Sequence, residues 1–153
     1  MDFEQKLKGI MKEGNIVCEH FSFKESCHSV EEAAAVVKAS QEDFNKSIYL
    51  VDKKGGLVVA IVKGEDRVDV RKVEKIVGER LRLANAEEIL EKTGFPVGGT
   101  PPFGFNAVFF VDEKVMEKEL VYAGGSSTTS LVRLSPVEML KANCGRQSEL
   151  RRT

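Results

Sequence analysis

Hydrophobic and polar residues follow two different periods along this chain, and the period changes several times. Apolar residues three and four positions apart predict amphipathic helices, whereas short β-branched and aromatic runs predict strands. Five segments have the helical spacing, and each follows an Asp, Asn or Ser that can cap a helix. The predicted helices start at Asp2, Ser29, Asp69, Asn85 and Ser135.

The clearest strands are two apolar runs, residues 47–52 and 57–62, joined by Lys53-Lys54-Gly55-Gly56. This arrangement predicts a β-hairpin, and the continuous apolar character predicts burial of both strands on both faces. Further short strands are predicted over residues 15–23, 80–84, 107–112, 120–123 and 131–134.

Hairpin neighbours interspersed with short helices predict an α+β fold rather than a doubly wound parallel sheet. We expect a single domain with a mixed, mostly antiparallel sheet and short helices packed around it. The 153 residues, 42% of them hydrophobic, are enough to bury a core without disulfides or metals. The domain is expected over residues 1–145, followed by a C-terminal tail, 146–153, that is frayed from Gln147.

Charge and cysteine usage exclude several classes of protein. The 23 basic and 24 acidic residues nearly cancel, so any contact with RNA must be local. Cys18, Cys27 and Cys144 lack CxxC spacing and accompany only two histidines, so we expect neither disulfides nor a metal site. A charged N-terminus and the lack of an apolar run of about 18 residues predict a soluble, cytoplasmic protein without a membrane span.

Residues 97–104 concentrate three glycines and two adjacent prolines. Glycine lets a ligand approach the main chain or supplies positive φ, and proline fixes φ and extends the preceding residue. The pattern is typical of a rigid loop that contacts a ligand, but also of a tight connector between a helix and a strand. The candidate site residues of this segment are Gly98, Gly99, Thr100, Pro101, Pro102, Phe103 and Gly104.

Other candidate chemistry is sparse, because no nucleophile elbow, zinc-protease helix, Walker loop or dinucleotide motif occurs. The turn at residues 124–130 offers backbone donors for an anion, or is simply a mobile surface turn. His28 follows Cys27, yet adjacent extended residues point to opposite faces, which favours a helix-entry histidine over a thiol-base pair. Lys46 precedes an apolar strand, where packing of its stem would fix one cation; the alternative is a solvated strand-end lysine.

Six motifs stand in order along the chain, at residues 27–34, 45–52, 82–88 with 93–94, 98–104, 122–125 and 134–136. In order and spacing this set resembles the YbaK family, the freestanding relatives of the editing domain inserted in bacterial prolyl-tRNA synthetases. The resemblance covers about residues 15–145. It implies a trans-acting deacylase that hydrolyses the ester of a mischarged aminoacyl-tRNA, without a protein nucleophile, cofactor or metal.

The resemblance also assigns roles. Lys46 would bind the tRNA terminus beside the ester, and Gly98 and Pro102 would frame a loop that wraps the aminoacyl group and orients a water. Gly124 and Gly125 would form the opposite wall. The implied catalytic residues are Lys46, Gly98, Gly99, Thr100, Pro101 and Pro102, and the implied substrate-binding residues are His28, Phe103, Gly104, Gly124, Gly125 and Ser126.

Pro101 departs from the family, because several members that act on cysteinyl-tRNA have Ser at this position. A stiffer, more apolar loop leads us to expect a small uncharged amino acid, alanine first, with serine, threonine or cysteine as alternatives. The expected substrates are Ala-tRNA(Pro) or Cys-tRNA(Pro). The expected partner is the acceptor end of a mischarged tRNA, with prolyl-tRNA synthetase as a candidate second partner. Two alternatives stay open: a non-catalytic tRNA- or synthetase-binding module, and a hydrolase for another small acyl ester.

Overall fold

A computed structural model describes residues 2–153. Side-chain caps start all five α-helices at the predicted residues, each accepting hydrogen bonds from N–H groups of the first turn. At Asn85 the cap is a reciprocal capping box with Glu88. The helices are α1 Phe3–Glu13, α2 Val30–Val37, α3 Val70–Val77, α4 Ala86–Thr93 and α5 Pro136–Asn143.

Eight strands form two sheets. They are β1 Glu19–Ser22, β2 Asn45–Val51, β3 Leu57–Lys63, β4 Arg82–Leu83, β5 Val108–Asp112, β6 Val121–Gly124, β7 Ser130–Leu134 and β8 Arg146–Ser148. The smaller sheet has the order β1-β7-β6 and is antiparallel, and the larger has the order β4-β2-β3-β5-β8. In the larger sheet β3–β5 and β5–β8 are parallel and the other pairs antiparallel. The α+β class is confirmed, with two sheets where the sequence indicated one.

The main core lies between the two sheets. It combines the odd-numbered residues of β3 with residues of β5, β6 and β7, and α1 and α5 close it through Leu7 and Met139. The opposite face of the larger sheet packs against α3. The hairpin prediction is confirmed, but burial on both faces holds only for β3, because residues 46–49 of β2 are half-buried.

The prediction of a frayed C-terminal tail is wrong. Residues 146–148 form β8, which pairs with β5, and Leu150 is fully buried. Arg151 forms an ion pair at 2.5 Å with the fully buried carboxylate of Asp112. The residues of β8 are polar, so a search for apolar periodicity does not predict this strand. The segment is ordered instead by an ion pair between two residues that are far apart in sequence, Arg151 and Asp112. None of the helices within residues 2–153 is long and apolar enough to cross a membrane.

Candidate functional site

A pocket of about 590 Å³ opens where β2 lacks a neighbouring strand. Just before β2, Phe44 forms an isolated parallel β-bridge with Tyr122 of β6. Towards the other end of the strand, β4 pairs with β2 only at Leu50 and Val51. Between these points, one edge of β2 has no strand partner among residues 2–153. Five consecutive residues, 45–49, therefore line the pocket from both faces of the strand.

Lys46 lies at this open edge, half-buried, and lines the pocket. Burial lowers the pKa of its ammonium, the nearby Arg67 guanidinium lowers it further, and Asp66 partly offsets both effects. Lys46 thus lies in the pocket lining and is under the influence of two charged residues, Arg67 and Asp66, that do not line the pocket.

The glycine-proline loop follows the end of α4 and contributes Val97, Gly98 and Thr100 to the pocket wall. Gly98 has φ of +84°, and a side chain at this position would run into the imidazole of His28, which also lines the pocket. The N–H of Gly99 is already used, because it donates to the carbonyl oxygen of Pro96 at 3.1 Å.

The second glycine turn lies directly against this loop. The N–H of Ser126 donates to the carbonyl oxygen of Gly99 at 2.6 Å, and any Cβ at Gly124 would collide with the Thr100 carbonyl. Gly124 lines the pocket, whereas Gly125 packs against the backbone of Leu131. The two glycine segments that the sequence singled out therefore form one backbone-to-backbone contact.

A hydrogen-bond network supports the turn from behind. The hydroxyl of Ser127 donates to the carboxylate of Glu4 on α1 at 3.0 Å and contacts the hydroxyl of Ser130 at 2.7 Å. That second hydroxyl donates to the carbonyl oxygen of Gly125, which also contacts Nε2 of His20 at 2.9 Å. Side chains from α1, β1 and β7 thus hold the turn on which the glycine-proline loop rests.

Several sequence-predicted site residues lie outside the pocket lining. Pro101 and Pro102 are buried, and the carbonyl oxygen of Pro102 accepts from Nδ2 of Asn143 at 3.0 Å. Phe103 is fully buried in the core between the sheets, and Gly104 lies beside Ile10. Those that line the pocket are His28, Lys46, Gly98, Thr100 and Gly124; those that do not are Gly99, Pro101, Pro102, Phe103, Gly104, Gly125 and Ser126.

Sequence reasoning missed the contribution of β2 beyond Lys46. Asn45, Ser47 and Tyr49 alternate along the strand, and all line the pocket. Burial raises the pKa of Tyr49 to about 12, partly offset by side-chain hydrogen bonds with Thr100 and Ser47, so the phenol stays protonated at neutral pH. The polar alternation was visible in the sequence, but the missing neighbour strand was not.

Cys27 is the pocket's thiol, and burial together with the neighbouring Glu25 and Glu32 carboxylates raises its pKa. It therefore remains a neutral thiol rather than a nucleophilic thiolate. Over residues 2–153, no three His, Cys, Asp or Glu side chains are grouped as a metal site requires. The polar groups of the pocket lining are a lysine, an imidazole, a carboxylate, hydroxyls, two amides, a thiol and main-chain groups.

A family model described as the aminoacyl-tRNA editing domain matches residues 24–142. The chain belongs to this family, and the matched range contains the whole pocket lining.

Two curated relatives and one solved structure agree with this assignment. A candidate Cys-tRNA(Pro)/Cys-tRNA(Cys) deacylase of Enterococcus faecalis is 23% identical over 133 residues, which is 85% of this chain and 81% of the relative. A proline-tRNA ligase of Thermodesulfovibrio yellowstonii is 27% identical over 99 residues, 65% of this chain but only 17% of the ligase. A crystal structure described as a candidate trans-editing enzyme for prolyl tRNA synthetase superposes with a TM-score of 0.92 at 29% identity, covering 100% of this chain and 99% of that one.

Proposed function

We propose that this protein hydrolyses the ester bond of mischarged aminoacyl-tRNA in trans, releasing free amino acid and intact tRNA. The observation that carries the proposal is the pocket at the open edge of β2, which is lined by Lys46, Gly98 and Thr100 in a member of the editing family. The names of the two relatives and of the solved structure support the same reaction class.

Lys46 is the cation of the proposed site. In this mechanism its ammonium binds the phosphate of the terminal nucleotide and holds the ester at the pocket mouth. Partial burial strengthens the interaction, because a charge that has lost part of its water shell gains more from an anionic partner. The nearby Arg67 adds to the positive potential around Lys46.

Main-chain N–H groups of the glycine-proline loop are the proposed donors to the carbonyl oxygen as negative charge develops. The N–H of Gly99 is engaged by Pro96, and among residues 2–153 the N–H groups of Gly98 and Thr100 have no acceptor. One such donor is typically worth about 2.7–4 kcal/mol in the transition state. A bound water, assisted by the vicinal hydroxyl of the terminal ribose, is the proposed nucleophile, which agrees with the raised thiol pKa of Cys27.

The proposed substrate carries a small uncharged amino acid, with alanine first and cysteine, serine and threonine as the other candidates. The wall contains small and apolar residues such as Ala123 and Leu131, and the buried Pro101 offers no hydroxyl. We propose the acceptor end of tRNA(Pro) as the RNA partner, by analogy with the proline-tRNA ligase relative. Prolyl-tRNA synthetase is the proposed second partner, since it would already hold the tRNA.

The test is release of labelled amino acid from alanyl-, cysteinyl-, seryl- and threonyl-tRNA(Pro) by the wild type and Lys46→Ala. Lys75→Ala, which removes an exposed lysine of α3, is the matched control. We expect release by the wild type and control, and a loss of at least about a hundredfold in kcat/KM for Lys46→Ala. Absence of release by well-folded wild type from all four tRNAs would refute the proposal and favour a non-catalytic binding module.

A further inference from the structure

The odd-numbered residues at the start of β2 form a polar row on an otherwise apolar face. Asn45, Ser47 and Tyr49 alternate along the strand and line the pocket. Their register partners on β3 include Ile61 and Val59, which are both fully buried. Polar groups are costly on a buried sheet face unless they are paired. Tyr49 shares side-chain hydrogen bonds with Ser47 and Thr100, so Asn45 is the member of the row with an unpaired atom.

Asn45 has the least satisfied of these side chains. It is only 8% exposed, its Nδ2 donates to the sulfur of Met139 at 3.1 Å, and its Oδ1 has no hydrogen-bond partner within the described chain. A thioether is a weak acceptor, so the donor side of the amide is poorly used as well. A buried oxygen without a donor is an unusual and costly feature, and here it belongs to a residue of the pocket lining, where a ligand donor would relieve the cost.

The chemistry of the row limits what that ligand group can be. An unpartnered amide oxygen needs a donor, and the hydroxyls of Ser47, Tyr49 and Thr100 add further acceptor oxygens. In an alanyl ester the ester oxygens are acceptors, and the donors are the α-ammonium and the vicinal ribose hydroxyl. The α-ammonium is the stronger of the two, because it is charged. Lys46 follows on the opposite face of the strand, so its like charge is directed away from this row.

We propose that the Asn45 Oδ1 accepts a hydrogen bond from the α-ammonium of the aminoacyl group, so that the enzyme selects esters with a free α-amino group. This inference rests on the proposed deacylase function and adds a specificity-determining residue to it. An ester whose amine is acylated, as in a peptidyl- or N-acetylaminoacyl-tRNA, has lost the charge and two of the three donors. Such esters are poor substrates because the buried oxygen stays unpaired.

The test compares alanyl-tRNA(Pro) with N-acetylalanyl-tRNA(Pro), prepared from the same charged tRNA, on the wild type, Asn45→Asp and Asn45→Leu. If the panel identifies another amino acid as the better substrate, that pair replaces alanine. We expect the wild type to prefer the free amine by at least about tenfold in kcat/KM, the size of effect typical of a hydrogen bond to a charged group. Asn45→Asp, which keeps the acceptor, retains the preference.

Asn45→Leu separates recognition of the amine from the bulk of the acetyl group. It should slow hydrolysis of the free-amine ester and bring the ratio between the two esters close to one, while its unfolding midpoint equals or exceeds that of the wild type. The vicinal ribose hydroxyl is also a donor, but acetylation leaves it unchanged. If Asn45→Leu lowers the rates on both esters equally, Asn45 does not read the amine.

Failure of this inference is distinguishable from failure of the proposed function. Equal, Lys46-dependent hydrolysis of both esters by the wild type would overturn the inference and leave the deacylase intact. Absence of Lys46-dependent release from the free-amine ester and the rest of the panel would overturn both. A lasting preference in Asn45→Leu would show that the acetyl group is excluded by its bulk, which also contradicts the role of Asn45.

Discussion

The main-chain N–H of Ser126 donates a 2.6 Å hydrogen bond to the carbonyl oxygen of Gly99, and so joins two loops that are distant in sequence. A Cβ at Gly99 would lie 2.6 Å from the carbonyl carbon and oxygen of Ser127, so the contact leaves no space for a side chain. The glycine-proline loop is therefore held at its angle to the pocket by the turn after β6. The proposed orientation of Thr100 toward the substrate depends on this contact.

Substitution of Gly99 by alanine is expected to separate the two loops. Relief of the clash requires a shift of main chain, which we expect to cost about 1–3 kcal/mol of unfolding free energy and to lower kcat for deacylation. Gly9→Ala is the control, because Gly9 lies in α1 with no atom within 4 Å of its Cβ position, and alanine there should stabilise the helix by about 0.5–1 kcal/mol. Thermal unfolding and single-turnover kinetics measure the two effects. Equal unfolding midpoints for the two variants would contradict the packing argument.

Ser126 is strained, and its replacement by glycine should stabilise the protein. Its φ is +91°, which side chains rarely adopt, and its fully buried hydroxyl has no partner in the described chain. Strain and the unpaired hydroxyl each cost about 1–3 kcal/mol, against about 0.4–1 kcal/mol of added unfolded-state entropy for glycine. We expect Ser126→Gly to raise the unfolding midpoint more than Ser126→Ala, which removes only the hydroxyl. A lower midpoint for the glycine variant than for the wild type would indicate that the serine is better accommodated than its φ implies.

The helices and the hairpin could be predicted from the sequence because their signals are local. Asn85 and Glu88 are three residues apart and cap α4 by themselves, whatever the rest of the fold does. The pocket depends instead on how far β4 extends along β2, and Arg82–Leu83 is too short a strand for its length to be predicted. Asn45 and Tyr49 therefore appeared to be ordinary strand residues. Lys46 and the two glycine segments were singled out from their local sequence, and the resemblance implied that they belong to one site.

The pH dependence of deacylation should report on the electrostatic surroundings of Lys46. Its pKa is lowered by burial and then by Arg67, so activity that needs the ammonium falls as pH rises through a value below the ordinary 10.5. Arg67→Gln removes a cation and should move this alkaline limb to higher pH, whereas Asp66→Asn removes an anion and should move it lower. The measurement is kcat/KM against pH, corrected for spontaneous ester hydrolysis. Shifts of the two limbs in the same direction would exclude this lysine as the titrating group.

The ion pair between Arg151 and Asp112 should account for much of the stability of the C-terminal segment. The Asp112 carboxylate is fully buried and also accepts the N–H of Leu150 at 2.7 Å. Removal of its counter-ion in Arg151→Met leaves a buried charge, which we expect to cost about 3–5 kcal/mol. Glu149→Gln, in the more exposed pair with Lys72, should cost no more than about 1 kcal/mol. Urea denaturation of both variants tests this, and similar costs would show that the tail is held by its strand pairing alone.

The backbone contact between the two glycine loops also determines which residues of this protein can be changed to give it a new substrate preference. Main-chain atoms are the same whatever the residue, so variation at Gly99 or Gly124 can abolish the site but offers little scope to adjust it. The open edge of β2 is the reverse case, because Ser47 and Tyr49 contribute replaceable side chains to the pocket without forming that contact. A laboratory library that seeks an editor for a different amino acid is best confined to these two codons. Asn45, whose proposed ligand is the amine that all aminoacyl esters share, and the glycines are left unchanged.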